Sequence, residues 1–189
     1  MFQQAIARQR AAGNHEGEYE TLAWLSLSYT LAKDYDSAEQ YAQQALALAR
    51  TLRTKNALGT ALIVLGRCVL RKDEPRRAMP YSVEAVRLFN EKGDVSTTVM
   101  VLEEVALCVG LLGKPAPAAR IFGAIQFQWE TKRATSLLRI GIYDRQWGEI
   151  RARLGDAAFD QARAEGRVLS LDQIVDLALE TARKMEIER

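Results

Sequence analysis

The fold is decided by the stretch LIVLGRCV at residues 62–69, which has counterparts forty residues earlier, LAWLSLSY at 22–29, and forty residues later, LEEVALCV at 102–109. Within each stretch, apolar residues lie three and seven positions after the first leucine, which places the three side chains on one face of a helix. A small residue follows the second apolar position each time. The matched positions are Leu22, Leu62 and Leu102; Leu25, Leu65 and Val105; Ser26, Gly66 and Ala106; and Tyr29, Val69 and Val109. The chain therefore repeats one helix, with the same inward face, every forty residues.

A second helix follows each of these stretches. Alanine occupies the same register position in all three copies, at Ala38, Ala78 and Ala118. Pro75 and Pro115 stand where the second helix should begin, because proline suits the first helical position. Each unit is therefore predicted to be a pair of antiparallel helices that approach closely at the alanine.

The predicted fold class is all-α: an α-α superhelix of antiparallel helix pairs, closed by a C-terminal helical cap. An N-terminal half repeat indicates that the segment is cut from a longer array, because terminal repeats normally carry polar caps. Ser170 and Gln173 form a capping box for the final helix. The predicted boundaries are 1–132 for the repeats, with a half repeat at 1–13 and units at about 16–53, 56–93 and 94–132, and 133–189 for the capping helices.

The composition indicates a soluble globular chain, since 48% of the residues are apolar and 26% are charged. The net charge of +2 is too small to form the basic surface that a phosphate backbone requires, so no direct contact with nucleic acid is expected. No apolar run approaches the roughly 18 residues of a membrane span, so no membrane contact is expected.

The two cysteines fall on equivalent helices of successive units. Such helices lie about 8–10 Å apart, whereas a disulfide needs Cα atoms within about 7 Å. Cys68 and Cys108 are therefore predicted to be reduced and buried, which is consistent with a cytoplasmic location.

The sequence offers no candidate for catalysis, and no cofactor or metal site is predicted. His15 is the only histidine and lies in a predicted turn, so neither a Ser–His nor a Cys–His pair can be assembled. The stretch GLLGKP at 110–115 lacks the spacing of a phosphate-binding loop, and a turn is the better interpretation. The chain is predicted not to be an enzyme.

Two further groups of residues receive structural interpretations. Glu103 and Glu104 could form a carboxylate pair, but neighbours on a helix point about 100° apart, and a solvated or salt-bridged face is the favoured interpretation. The aromatic residues Phe122, Phe127 and Trp129 are interpreted as packing residues rather than as a ligand site.

The stretch LSLSYTLAKDYDSAEQYAQQAL at 25–46 resembles the tetratricopeptide repeat. HEAT-type repeats also reach a period of this length, but they lack the paired small residues at these positions. The resemblance implies a tetratricopeptide-like superhelix whose first helices line a concave groove.

A narrower resemblance covers most of the chain. ARIFGAIQ at 119–126, followed by RARLGDAAFDQARAEGRVLSLDQIVDLALE at 151–180, looks like the C-terminal tetratricopeptide region of bacterial LuxR-type and STAND-ATPase (MalT-like) transcriptional regulators. The resemblance implies a regulatory segment of a larger protein. The output and ATP-binding domains would belong to that parent protein.

The groove-facing positions of the resembled repeats can be mapped onto this sequence. Candidate binding residues are Trp24, Leu27, Ile63, Arg67, Arg71, Glu103 and Glu104, accompanied by Glu20, Ala23, Val64, Met100 and Leu107. An equally good interpretation of Trp24 is that it only packs on the half repeat. The lysine and asparagine that clamp a chaperone's carboxyl tail are not found at Ala23, Leu27 or Val64, which disfavours that partner.

Two functions remain open. The first is a sensor segment of a bacterial transcriptional regulator or signalling ATPase, which binds a protein, a peptide, another domain of its parent chain or a small-molecule effector. The second is an autonomous scaffold that mediates protein–protein interaction.

Overall fold

A computed structural model describes residues 2–132 and 143–187 of the chain. These residues form α-helices and contain no strand, which confirms the predicted all-α class. The helices are α1 (Phe2–Ala11), α2 (His15–Leu31), α3 (Tyr35–Leu52), α4 (Lys55–Arg71), α5 (Pro75–Glu91), α6 (Val95–Leu111), α7 (Pro115–Lys132), α8 (Asp144–Leu154), α9 (Asp156–Gly166) and α10 (Leu171–Ile187).

The turns that separate the first seven helices share one design. A residue with positive φ recurs every twenty positions, at Gly13, Lys33, Arg53, Asp73, Gly93 and Gly113. The residue that follows it lies immediately before the first residue of the next helix. In four turns its side-chain oxygen accepts a hydrogen bond of 3.0–3.3 Å from the backbone N–H three residues later, at Asn14, Asp34, Thr54 and Asp94. In the other two turns a proline opens the helix, so each helix start has a local cause.

The chain divides into two compact units, Met1–Lys92 and Gly93–Arg189. In the first unit α1 packs on α2, and the pairs α2–α3 and α4–α5 are helical hairpins with three-residue turns. Ala38 and Ala78 are completely buried, as predicted. Ser26 Oγ donates a 2.8 Å hydrogen bond to the carbonyl oxygen of Ala38, so the small residues of the two helices meet at the crossing.

A charge network holds the second hairpin of this unit to the first. Glu39 of α3 is buried and accepts hydrogen bonds from Lys72 Nζ at 2.8 Å and from Arg77 Nη2 at 2.5 Å. Burial opposes ionisation of the carboxyl, but the two cationic donors outweigh it and lower the pKa of Glu39. Hydrogen bonds to Asp36 and then to Glu39 raise the pKa of Lys72. The network therefore links three successive helices by charge as well as by apolar packing.

In the second unit α6 is buried on almost every side, with α7, α8 and α10 packed against it. Phe122 of α7 stacks on Trp147 of α8, their ring centroids 4.0 Å apart, which confirms a packing role for Phe122. Phe127 is 37% exposed and lies beneath the guanidinium of Arg167, 5.5 Å from the ring centroid. The helices that follow α7 therefore cover apolar residues of α6 and α7.

The final helix begins as its sequence predicts. The backbone N–H of Ser170 donates to Gln173 Oε1 at 2.9 Å, and the N–H of Gln173 donates to Ser170 Oγ at 3.3 Å, which is the predicted capping box. The predicted unit boundaries, and the grouping of 133–189 as a cap, stay predictions. The start of that cap, 133–142, lies outside the described residues.

Candidate partner-binding groove

A pocket of about 360 Å³ opens between α2 and α4, the first helices of two consecutive units. Its lining residues are Tyr19, Glu20, Ala23, Trp24, Leu27, Asn56, Thr60 and Val64. This α2–α4 pocket lies entirely within the first compact unit. Its position between two first helices is the position that the repeat resemblance implies for a groove.

Beyond Glu20 the α2 side of the pocket is apolar, and Trp24 on this side is exposed. Ala23, Trp24 and Leu27 follow Glu20 at helical spacing and form a second face, opposite the buried face that contains Leu22. The side chain of Trp24 is 63% exposed. Packing on α1 therefore does not account for Trp24, because most of the indole surface is left in contact with solvent.

The α4 side of the pocket is more polar. Asn56, Thr60 and Val64 lie four residues apart, so their side chains follow one another along the helix. Thr60 hydrogen-bonds the hydroxyl of Tyr19, whose pKa is raised mainly by burial. Lys92 Nζ donates a 2.9 Å hydrogen bond to Asn56 Oδ1 at the edge of the pocket.

The structure brings together Trp24 and Leu27, with Glu20, Ala23 and Val64, in the lining of one pocket. Ile63 is buried beside it and faces the core. Arg67 and Arg71 continue the α4 face beyond Val64; they are half-buried, lie outside the lining, and already make polar or electrostatic contacts.

The favoured interpretation of Glu103 and Glu104 was a solvated or salt-bridged face. Both side chains are buried in the second unit, which excludes the solvated alternative. Trp147 Nε1 donates a 3.2 Å hydrogen bond to Glu103 Oε1. Tyr143 lies with its hydroxyl 3.5 Å from Glu104 Oε1. Of the two alternatives, solvation is wrong because α8, about forty residues later in the sequence, packs over this face of α6. Leu107, mapped to the same groove, is also completely buried.

Sequence reasoning missed three lining residues, Tyr19, Asn56 and Thr60. The period offered a signal for one of them, because Thr60 lies forty residues after Glu20 and occupies the equivalent register position. Asn56 lies one helical turn before Thr60 on the same face. Tyr19 carries no such signal, since tyrosine at that position also suits a buried contact.

Among residues 2–132 and 143–187, no group of three or more histidine, cysteine, aspartate or glutamate side chains is arranged to hold a metal ion. Over the same ranges, no helix combines the length and apolarity needed to cross a membrane. Cys68 and Cys108 are free and buried, as predicted. Burial raises the pKa of the Cys108 thiol, and the Cys68 Sγ lies 3.2 Å from Thr30 Oγ1.

Comparison with known proteins gives one match. Residues 18–91 match the tetratricopeptide repeat family, and this range contains every lining residue of the α2–α4 pocket. No curated protein and no solved structure matches the chain. The tetratricopeptide repeat is a non-catalytic scaffold for contacts between proteins. Residues 18–91 are therefore a tetratricopeptide-repeat region, a protein–protein interaction module.

Proposed function

We propose that the chain is the partner-binding segment of a larger bacterial regulator, and that the α2–α4 pocket receives a protein or peptide segment. The observation that carries this proposal is the exposed Trp24 in the lining of a pocket whose α2 wall also contains Ala23 and Leu27. A tryptophan left in water is a large unburied apolar surface, and tryptophan is enriched among the residues that dominate binding energy. The segment acts by binding and has no catalytic role.

The regulatory context is supported by the tail of the sequence. The residues that resemble the C-terminal region of LuxR-type and MalT-like regulators, 151–180, span the end of α8, all of α9 and most of α10. Such a segment changes its contacts with a nucleotide-binding switch when its partner or effector binds. A cytoplasmic location follows from this role and is consistent with two free, buried cysteines.

Two alternatives have their own support. An autonomous scaffold would use the same pocket to hold a partner without any switch domain. A small-molecule effector is also compatible, because a volume of about 360 Å³ lies within the ordinary range for small-ligand sites.

Selection of peptides from a random display library tests the pocket directly. We expect wild-type protein to select peptides that lose most of their binding to a Trp24→Ala variant, while Phe127→Ala, a second exposed aromatic truncation, keeps the binding. Trp24→Ala should melt close to the wild type, because most of Trp24 is exposed. Phe127→Ala loses its contact with Arg167 and should melt slightly lower, so it also controls for a general loss of stability. Peptides that bind Trp24→Ala as tightly as wild type would contradict the proposal.

The complete reading frame separates the regulator from the scaffold. An adjoining nucleotide-binding region together with a DNA-binding domain is the result expected for the regulator. A reading frame that contains only helical repeats favours the scaffold.

A further inference from the structure

The charges around the α2–α4 pocket are unequally distributed. Glu20 is the one charged side chain among the lining residues. Helix α2 carries three glutamates and no lysine or arginine. The pocket wall that contains Trp24 is therefore acidic at its N-terminal end and apolar beyond it.

Two carboxylates near Glu20, those of Glu18 and Glu39, are already compensated. Arg10 Nη2 lies 2.6 Å from Glu18 Oε1, and Glu39 is held by Lys72 and Arg77. Within the described part of the chain, neither Glu20 nor Glu16, one turn earlier, makes an ion pair, and both are exposed. Lys92 contacts the pocket on the opposite wall, where its Nζ donates a hydrogen bond to Asn56.

The pocket therefore presents an uncompensated carboxylate one helical turn before an exposed indole. A carboxylate attracts a cation, and the face of an indole binds a guanidinium or ammonium group within about 6 Å of its centroid. Ala23, Leu27 and Val64 supply apolar surface beside them. An acidic peptide would place like charge against Glu20 and Glu16 and gain nothing from either.

We propose that the occupant of the α2–α4 pocket is a basic peptide segment, with an arginine or lysine paired to Glu20 and stacked on Trp24 and a neighbouring apolar side chain packed on Leu27 and Val64. This inference rests on the proposed function, since it names the chemical class of the partner that the pocket receives. The basic residue provides register and selectivity, because an exposed ion pair alone contributes little affinity.

The test uses peptides selected from the random library on wild-type protein. Each Trp24-dependent peptide is synthesised with its basic residues and again with citrulline in place of arginine, or norleucine in place of lysine. We expect these peptides to be enriched in basic residues, and both the neutral substitution and Glu20→Gln to weaken binding about two- to fivefold. The two changes together should cost little more than one of them, and the effect should shrink as salt is added.

Lys92→Gln provides the matched control. It also removes an exposed charge at the pocket edge, but from the opposite wall, and should leave the binding of basic peptides unchanged or stronger. Trp24-dependent peptides that lack basic residues, or that bind Glu20→Gln as tightly as wild type, would overturn this inference and leave the proposed function standing. A library that yields no Trp24-dependent peptide overturns both.

Discussion

Gly123 of α7 and Gly166 of α9 each lie against the backbone of the other helix. A Cβ atom added to Gly123 would stand 1.9 Å from the carbonyl oxygen of Arg163, and one added to Gly166 would stand 1.8 Å from that of Arg120. Both distances are far shorter than any non-bonded contact, and the atoms opposed to the new methyl groups belong to the backbone. The two helices can cross at this distance only because both positions lack a side chain.

Alanine at either position should therefore push α9 away from α7. We expect Gly123→Ala and Gly166→Ala each to lower the free energy of unfolding by about 2–4 kcal/mol, as overpacking against rigid atoms does. Gly148→Ala is the control, because Gly148 lies in α8 with no atom within 4 Å of a new Cβ. That variant should be neutral or gain up to about 1 kcal/mol from better helix propensity. Equal urea-denaturation curves for all three variants would exclude the close crossing.

The crossing of α4 and α5 offers a second packing test. Ala78 is completely buried, and its carbonyl oxygen would lie 3.7 Å from a Cβ added to Gly66. We expect Ala78→Leu to cost about 1–3 kcal/mol and to lower the melting temperature by several degrees. Arg76→Leu introduces the same side chain at an exposed position of the same helix and should change the melting temperature little. A similar loss in both variants would show that leucine itself, and not the crossing, is responsible.

The residues with positive φ allow us to predict a substitution that increases stability. Lys33 has φ of 63° and an exposed side chain, whereas the equivalent turns at Gly13, Gly93 and Gly113 use glycine. We expect Lys33→Gly to raise the free energy of unfolding by about 0.5–1 kcal/mol, because it removes the steric cost of a Cβ in this conformation. Lys33→Ala keeps the Cβ and should bring no comparable gain. Thermal denaturation of the two variants side by side measures the difference.

The Glu39 network predicts a pH dependence of stability. The pKa of Glu39 is lower in the folded chain than in the unfolded chain, where it is close to 4.5, so the unfolded state binds the proton first as pH falls. The contribution of ionised Glu39 to the free energy of unfolding is complete above about pH 4.5. It disappears as the pH falls through the lower pKa of Glu39 in the folded chain. Glu39→Gln should therefore lower the free energy of unfolding by about 1–3 kcal/mol at pH 7.

The same difference between wild type and Glu39→Gln should narrow below about pH 4.5. Urea denaturation of both proteins across the acid range supplies the comparison. Curves that remain parallel down to the lowest pH would mean that the ionised carboxyl does not contribute through Lys72 and Arg77.

Local sequence signals predicted much of the helical architecture. The position of Ala38 and Ala78 follows from the forty-residue period, the helix starts at Pro75 and Pro115 from a single residue each, and the Ser170 capping box from two residues three positions apart. The helix starts depend on residues within one helical turn, and the alanine positions on matches between copies forty residues apart. The resemblance to the repeat family placed Trp24 and Leu27 together on the groove side of α2, and both line the α2–α4 pocket.

Contacts between distant helices could not be predicted in this way. Nothing in the sequence around Gly166 reveals that α7 lies against it. The burial of Glu103 and Glu104 could not be predicted for the same reason, since Tyr143 and Trp147, which contact them, lie about forty residues later in the sequence. Thr60 was accessible to sequence reasoning, but only by adding the period to Glu20.

The twenty-residue spacing of the left-handed turns limits how such a gene can change in length. First and second helices alternate along the chain. Two positions twenty residues apart therefore lie in helices of opposite type, whereas two positions forty residues apart lie in helices of the same type. A duplication or deletion of twenty residues would reverse this alternation and set two helices of the same type in succession. Only whole multiples of forty preserve the phase, so tandem copying of entire hairpins is the route by which an array of this design can lengthen without losing its core.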